Sequence, residues 1–128
     1  MSKTRKMKVL VVDNEREFAA TLAERMRLRN IVAESVYSGE DALEVVSSFM
    51  PDVMILDMQM PSMSGLDVLS QVKTIDPTIE VILLTGHGSF EAGISGMELG
   101  AFDYIIKPVD LILLMGKIAE ASKKKLGK

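Results

Sequence analysis

Cysteine and tryptophan are absent from the sequence, and aromatic residues make up only 5% of its 128 positions. Without cysteine, the chain can form neither a disulfide framework nor a thiolate metal site. It also has no apolar run of membrane-spanning length, and the basic segment 1–8 leads into a short strand pattern rather than a signal-peptide core. We therefore expect a cytoplasmic protein without membrane contact.

The sequence also lacks an excess of positive charge. Fifteen basic and 18 acidic residues give a net charge of -3, which does not favour direct nucleic-acid binding by this domain. Hydrophobic residues make up 48% and charged residues 26%, as is usual for globular proteins. We predict a single domain over residues 1–128, with its core over about 8–121 and a basic tail over 122–128.

Residues 51–61 organise the rest of the prediction. Residues 53–56 form an unbroken apolar run of strand length, and Asp57 follows it directly. Such a run is typical of a strand buried on both faces, in a parallel sheet covered by helices. Open α/β sheets place their ligand sites at the carboxyl ends of strands, so Asp57 is a candidate nucleophile or metal ligand. Taken alone, it is more simply a turn residue.

Four other strand patterns accompany this one, over residues 8–12, 31–37, 79–84 and 102–106. The second contains polar interruptions, which indicates the edge of the sheet. A helical pattern follows every strand. This strict alternation predicts an α/β fold of the (βα)5 type, a doubly wound parallel five-stranded sheet with helices on both faces.

The predicted helices have recognisable ends. Ser38, Ser64 and Asp110 are predicted N-caps, Ser89 opens the fourth helix, and Gly100 is a predicted C-cap. The buried faces include Met50 on the second helix and Ile75 on the third. Two glycines inside the fourth helix, Gly93 and Gly96, are most simply explained as tolerated flexibility. The alternative is that they weaken a helix next to Thr85 and Tyr104 that takes part in a switch.

Polar side chains follow four of the five strands: Asp13, Asn14 and Glu15 after the first, Asp57 after the third, Thr85 after the fourth and Lys107 after the fifth. In a parallel sheet these side chains meet at one edge. Carboxylate oxygens there suit a hard cation such as magnesium, and a lysine and a hydroxyl suit the oxygens of a phosphoryl group. Asp57 could then attack phosphorus and carry the group as an aspartyl phosphate.

The ordered set of segments at the strand ends resembles the receiver domain of two-component response regulators over about residues 8–121. The resemblance rests on residues 11–13, 55–61 with Gly65, 84–85, and 100–104 leading to Lys107 and Pro108. It implies the strand order 2-1-3-4-5 of flavodoxin-like, CheY-like folds. It also implies a signalling switch rather than a turnover enzyme.

The resemblance implies a role for several residues. Asp57 would accept a phosphoryl group from the phosphohistidine of a sensor histidine kinase or a phosphotransfer protein. Thr85 and Lys107 would hold phosphoryl oxygens, and Tyr104 would be an aromatic switch that moves inward with Thr85. A half-buried strand aromatic is the simpler explanation for Tyr104. The Lys107–Pro108 peptide bond is expected to be cis.

The implied cofactor is Mg²⁺, held by Asp13, Asp57, the position after Asp13 and the backbone carbonyl of Gln59. That position commonly carries a second acid in the family, but here it is Asn14. An amide oxygen is a neutral ligand, so we expect weaker magnesium binding than in an Asn14→Asp variant unless Glu15 reaches the site.

A second departure lies at the start of the last helix, where Ile112 and Leu113 replace the charged residues common in the family. We predict a partly apolar patch on the last two helices and the strand between them, which would bind a second subunit or an output module. The alternative is that both side chains belong to the core.

Three other functions remain open at this point. An aspartate-nucleophile phosphohydrolase usually has an acid two residues beyond the nucleophile, where this chain has Gln59. A flavodoxin-like nucleotide or flavin module would need a phosphate-cradling loop after the first strand, where Asp13 and Glu15 would repel phosphate without a metal. A receiver that no longer accepts phosphate would act by docking. His87, in the loop after Thr85, is more simply an exposed residue than one that tunes phosphate hydrolysis.

Overall fold

The computed structural model describes residues 5–86 and 90–125, which form a parallel sheet flanked by helices on both faces. In chain order the elements are β1 (Lys8–Val12), α1 (Arg16–Arg27), β2 (Val32–Val36), α2 (Gly39–Phe49), β3 (Val53–Asp57), α3 (Gly65–Ile75), β4 (Glu80–Thr85), α4 (Phe90–Glu98), β5 (Asp103–Ile106) and α5 (Leu111–Lys125).

The strand order is β2-β1-β3-β4-β5 and every neighbouring pair is parallel. This confirms the predicted fold class and the strand order implied by the resemblance. Every residue of β3 and β4 is buried, and the interior of both strands is apolar, as expected for strands covered on both faces. β2 lies at the edge, as its polar interruptions predicted.

The sheet divides the apolar interior into two layers. One layer lies beneath α1 and α5 and contains Met26, Ile55 and Ile118. The other lies beneath α2, α3 and α4 and contains Val46, Leu56 and Val68. Because successive strand residues point to opposite faces, each strand contributes to both layers.

Side-chain hydrogen bonds cap the N-termini of three helices, as predicted. The Ser38 hydroxyl accepts a hydrogen bond from the Asp41 backbone N–H, and the Ser64 hydroxyl accepts one from Asp67 N–H. Asp110 Oδ1 accepts hydrogen bonds from the backbone N–H groups of Ile112 and Leu113. Gly100, at φ 104°, occupies the left-handed conformation that ends α4. His87 and Ser89 lie outside the described residues.

Two side chains expected in the core are exposed. Met50 is 66% exposed because it takes the left-handed conformation, at φ 55°, directly after α2, so its side chain leaves the apolar stripe. Ile75 is 49% exposed because it is the last residue of α3, where the apolar face of the helix no longer packs fully against the sheet. None of the helices within the described ranges combines the length and apolar character needed to cross a membrane.

Candidate functional site

The carboxyl ends of the strands bring four of the predicted side chains to one edge of the sheet. Asp13 follows β1, Asp57 ends β3, Thr85 ends β4 and Lys107 follows β5. Backbone hydrogen bonds continue the pairing past the strand ends, since Met58 N–H donates to Leu84 O at 2.9 Å and Lys107 N–H donates to Thr85 O at 2.8 Å. The parallel register therefore places these groups side by side.

The ammonium of Lys107 lies among three carboxylates from two chain segments. Its Nζ is 3.1 Å from Asp13 Oδ2, 3.3 Å from Glu15 Oε1 and 3.6 Å from Asp57 Oδ1. The Lys107–Pro108 peptide bond is cis, the isomer that the resemblance implied. The single positive charge of Lys107 thus compensates only part of the negative charge of these three carboxylates.

Asp57 is almost completely buried, with 5% of its surface exposed. Burial and the neighbouring charge of Asp13 raise the pKa of the Asp57 carboxyl to about 6, against the opposite effects of Lys107 and the Gln59 backbone N–H. At neutral pH Asp57 is mostly ionised, and its carboxylate is more basic than an ordinary aspartate. It is the kind of group that can attack an electrophilic phosphorus.

Thr85 is fully buried, and its hydroxyl has no hydrogen-bond partner within the described part of the chain. A buried hydroxyl without a partner is costly unless an incoming group satisfies it. Its place at the end of β4, next to the strand that carries Asp57, leaves it available to an anionic oxygen.

The loop after β3 is held close to Asp57. The Gln59 backbone N–H donates to Asp57 Oδ1 at 3.3 Å, and Gly65 N–H donates to Met58 O at 3.0 Å. A Cβ on Gly65 would lie 2.6 Å from Asp57 O and from the Met58 Cα, so only glycine fits there. The Gln59 side chain is exposed.

The donor set at this edge fits a hard divalent cation, because Asp13 and Asp57 are buried carboxylates that already attract one ammonium. Across the described ranges, no three acidic or histidine side chains already stand close enough together to hold a metal ion. Lys107 stands between the carboxylates, so it would have to share them. The Asn14 side chain is exposed beside them.

Tyr104 lies away from this group, on β5, where its half-buried ring packs against α4. A Cβ on Gly93 would lie 3.0 to 3.1 Å from three of its ring atoms, and one on Gly96 would overlap Leu83. The two glycines thus let α4 approach β4 and β5 closely, which corrects their interpretation as tolerated flexibility.

Several exposed apolar side chains lie on α4 and directly after it, on β5 and on α5. We call these residues the α4-β5-α5 surface: Ile94, Met97, Leu99, Ile106, Ile112 and Leu113. Ile112 is 82% and Leu113 49% exposed, so the alternative that they belong to the core is wrong.

Two features of the charged groups were missed from the sequence. Phe18, an apolar residue of α1 that packs against the core, also lies beneath Lys107, whose Nζ is 5.2 Å from the ring centroid. At the opposite end of β3, the buried Asp52 accepts two hydrogen bonds from Arg5 and one from Lys8 N–H. The sequence signal that could have indicated Asp52 is its position, because it directly precedes the apolar run 53–56, just as Asp57 directly follows it.

Known proteins resemble this chain over most of its length. The sequence profile of the response regulator receiver domain matches residues 9–119. The chain is 35% identical over 103 residues to the DNA-binding transcriptional regulator NtrC of Escherichia coli, an alignment that covers 80% of this chain and 22% of NtrC. It is 30% identical over 112 residues to response regulator MprA of Mycobacterium ulcerans, covering 88% of this chain and 48% of MprA.

A solved structure gives the same result. The crystal structure of a response regulator receiver domain protein from Clostridium thermocellum superposes with a TM-score of 0.89 at 34% identity, covering 93% of this chain and 96% of that one. The chain spans less than half the length of the two curated relatives. The chain therefore belongs to the response regulator receiver domain family of two-component systems.

Proposed function

We propose that the chain is a phosphoacceptor that takes a phosphoryl group onto Asp57 from the phosphohistidine of a sensor histidine kinase or a phosphotransfer protein. An Asp57 carboxylate oxygen forms the new bond to phosphorus. The bond from phosphorus to the donor imidazole breaks, and its electron pair stays on that nitrogen, which takes up a proton. The observation that carries the proposal is a buried, ionisable Asp57 within 3.6 Å of the Lys107 ammonium at the strand ends.

Two other residues of the chain would assist the transfer. Lys107 already faces the Asp57 carboxylate, so its ammonium can neutralise charge on the transferred group. The buried Thr85 hydroxyl has its hydrogen-bonding capacity unused within the described residues, and it can donate to a phosphoryl oxygen.

Magnesium fits the proposed reaction. Asp13, Asp57, the backbone carbonyl of Gln59 and the position of Asn14 would hold it, and when bound it supplies positive charge that offsets the repulsion between the carboxylate and an anionic donor. The chain's own contribution is the pair of buried carboxylates, kept in place by backbone N–H groups of Glu15 and Gln59.

The proposed output is a change of the α4-β5-α5 surface. Movement of Thr85 toward the phosphoryl group would let the Tyr104 ring turn inward, and Tyr104 already contacts α4 through Gly93. Phosphorylation would thereby bias a two-state surface that binds a second subunit or an output module. In this way the domain acts as a switch and not as a turnover enzyme.

The test is treatment with Mg²⁺ and acetyl phosphate, followed by mass spectrometry of the intact chain and of its peptides. We expect one added phosphoryl group at Asp57 and none in the Asp57→Asn variant. Beryllofluoride should shift the NMR resonances of Thr85 and Tyr104 in the native chain only. A chain that stays unlabelled with every phosphodonor would contradict the proposal and favour a receiver that acts by docking alone.

A further inference from the structure

Glu15 contacts the charged cluster in a way that its place in the helix does not require. It is the N-cap residue of α1, yet its side chain makes no capping hydrogen bond. Its carboxylate instead lies 3.3 Å from Lys107 Nζ. An acid that only stabilised the helix N-terminus would need no such partner, and Glu17 already places an acid in the first turn.

The backbone of Glu15 is fixed relative to the site, while its side chain is largely exposed and touches the site only through Lys107. Its N–H donates to Asp13 Oδ1 at 2.9 Å, and the other oxygen of Asp13 faces Lys107. The Glu15 side chain is 66% exposed, so its carboxylate can change rotamer without disturbing the core. The Glu15 carboxylate therefore shares the ammonium of Lys107 with the two buried carboxylates.

Charge determines what a divalent cation would meet here. Asp13, Asp57 and the ammonium of Lys107 together carry a net charge of one negative. The position that commonly carries a second acid adds nothing, because it is the neutral Asn14. Glu15 adds the second negative charge, which matches a divalent cation. Without Glu15, the affinity of this site for such a cation would rest on two carboxylates that share one lysine.

We propose that Glu15 supplies the carboxylate that Asn14 lacks. When a divalent ion binds beside Asp13 and Asp57, the Glu15 carboxylate breaks its contact with Lys107 and turns toward the cation. The inference deepens the proposed function and rests on it only for the identity of the cation. Release of Glu15 would also free Lys107 from one of its three acidic partners.

The experiment measures cation affinity without any phosphodonor. Mg²⁺ is titrated into the full chain and followed by calorimetry and by amide NMR, in the native chain and in Glu15→Gln, Asn14→Asp and the double variant. We expect Glu15→Gln to weaken Mg²⁺ binding by about tenfold, an effect of the size seen when partners of metal ligands are removed. In the Asn14→Asp background the same substitution should change affinity by less than about twofold, because the second acid is restored.

Glu17→Gln is the matched control, since Glu17 is an exposed acid in the first turn of the same helix. It should leave the affinity for Mg²⁺ within about twofold of the native value if only long-range charge changes. Equal affinities for the native chain and Glu15→Gln would overturn the inference, and so would equal losses in Glu15→Gln and Glu17→Gln. Because no phosphoryl transfer is measured, a chain that binds Mg²⁺ through Glu15 but is never phosphorylated would refute only the proposed function.

Discussion

Gly93 of α4 lies directly against the ring of Tyr104 of β5, with room for a hydrogen atom and little more. A Cβ at this position would lie 3.0 Å from Tyr104 Cδ2 and 3.1 Å from Cε2 and Cγ. The position of the helix and the position of the ring are therefore coupled by contact.

We expect Gly93→Ala to displace the Tyr104 ring. Alanine gains about 1 kcal/mol over glycine in a helix interior, but the close contact with the ring should cancel that gain. The measurements are the free energy of unfolding in denaturant and the NMR resonances of the Tyr104 ring, with Tyr37 as an internal reference. Gly116→Ala in α5 is the control, because a Cβ there meets nothing within 4 Å, and it should stabilise the chain by about 1 kcal/mol. Equal gains for both variants with an unmoved ring would contradict this prediction.

Asp57→Asn should stabilise the protein at pH 8 in the absence of Mg²⁺. The pKa of Asp57 is raised to about 6 in the folded chain, so protonation favours folding. The stability from this group is fully present below the unfolded pKa of about 3.9 and is lost as pH rises through about 6. We expect the variant to exceed the native chain by about 1–3 kcal/mol at pH 8, and by progressively less as pH falls toward 4.

Denaturant titrations at several pH values measure this difference. Asp67→Asn, at an exposed acid in the first turn of α3, is the control; it retains Asp57 and should therefore keep the loss of stability that the native chain shows as pH rises through about 6. If the difference in free energy of unfolding between Asp57→Asn and the native chain does not change with pH, burial does not destabilise the Asp57 carboxylate.

Asp52→Asn should destabilise the opposite end of β3. Burial favours the neutral acid, but hydrogen bonds from Arg5 and Lys8 N–H and the charges of Arg5 and Lys125 outweigh it, so the pKa of Asp52 is held below its usual range. The carboxylate therefore contributes stability that is present above about pH 4 and lost as pH falls through its lowered pKa. We expect a loss of about 1–3 kcal/mol at pH 7 that shrinks in acid.

Unfolding experiments at pH 7 and below pH 4 test this effect. Arg5→Gln should cost less than Asp52→Asn, because Lys8 N–H at 2.9 Å and Lys125 at 3.7 Å would still face the carboxylate. A loss for Asp52→Asn that is as large below pH 4 as at pH 7 would argue against a charged Asp52.

Ile112→Glu should disrupt binding at the α4-β5-α5 surface without disturbing the fold. Ile112 is 82% exposed, so the substitution should change the free energy of unfolding by no more than about 0.5 kcal/mol. We expect weaker self-association of the beryllofluoride-treated chain in sedimentation, or weaker binding of an output module. Leu28→Glu is the matched control, because Leu28 is 81% exposed at the end of α1, outside this surface. Identical behaviour of the two variants would remove the proposed role of the surface.

Features set by neighbouring residues were predictable from the sequence. The caps at Ser38 and Ser64 depend on a side chain and an N–H three residues later, and both are present. The buried strands could be recognised because residues 53–56 of β3 and 81–84 of β4 are continuous apolar runs. The convergence of Asp13, Asp57 and Lys107 followed from parallel strands alone.

Features that depend on partners distant in the chain were not predictable. Gly93 and Gly96 suggested flexibility because the sequence does not show that Tyr104 and Leu83 pack against them. Likewise Phe18 suggested only core packing, since its contact with Lys107 joins residues from opposite ends of the chain. Such contacts depend on side-chain rotamers as well as on topology.

The two apolar layers on either side of the sheet share no buried residue. Losses of stability from substitutions more than about 7–10 Å apart usually add, so a truncation beneath α1 and a truncation beneath α3 should be energetically independent. Sequence drift can therefore remodel the helices of one face while the opposite face keeps its own side chains. A lineage of such domains can acquire new contacts on α4 without compensating changes around α1.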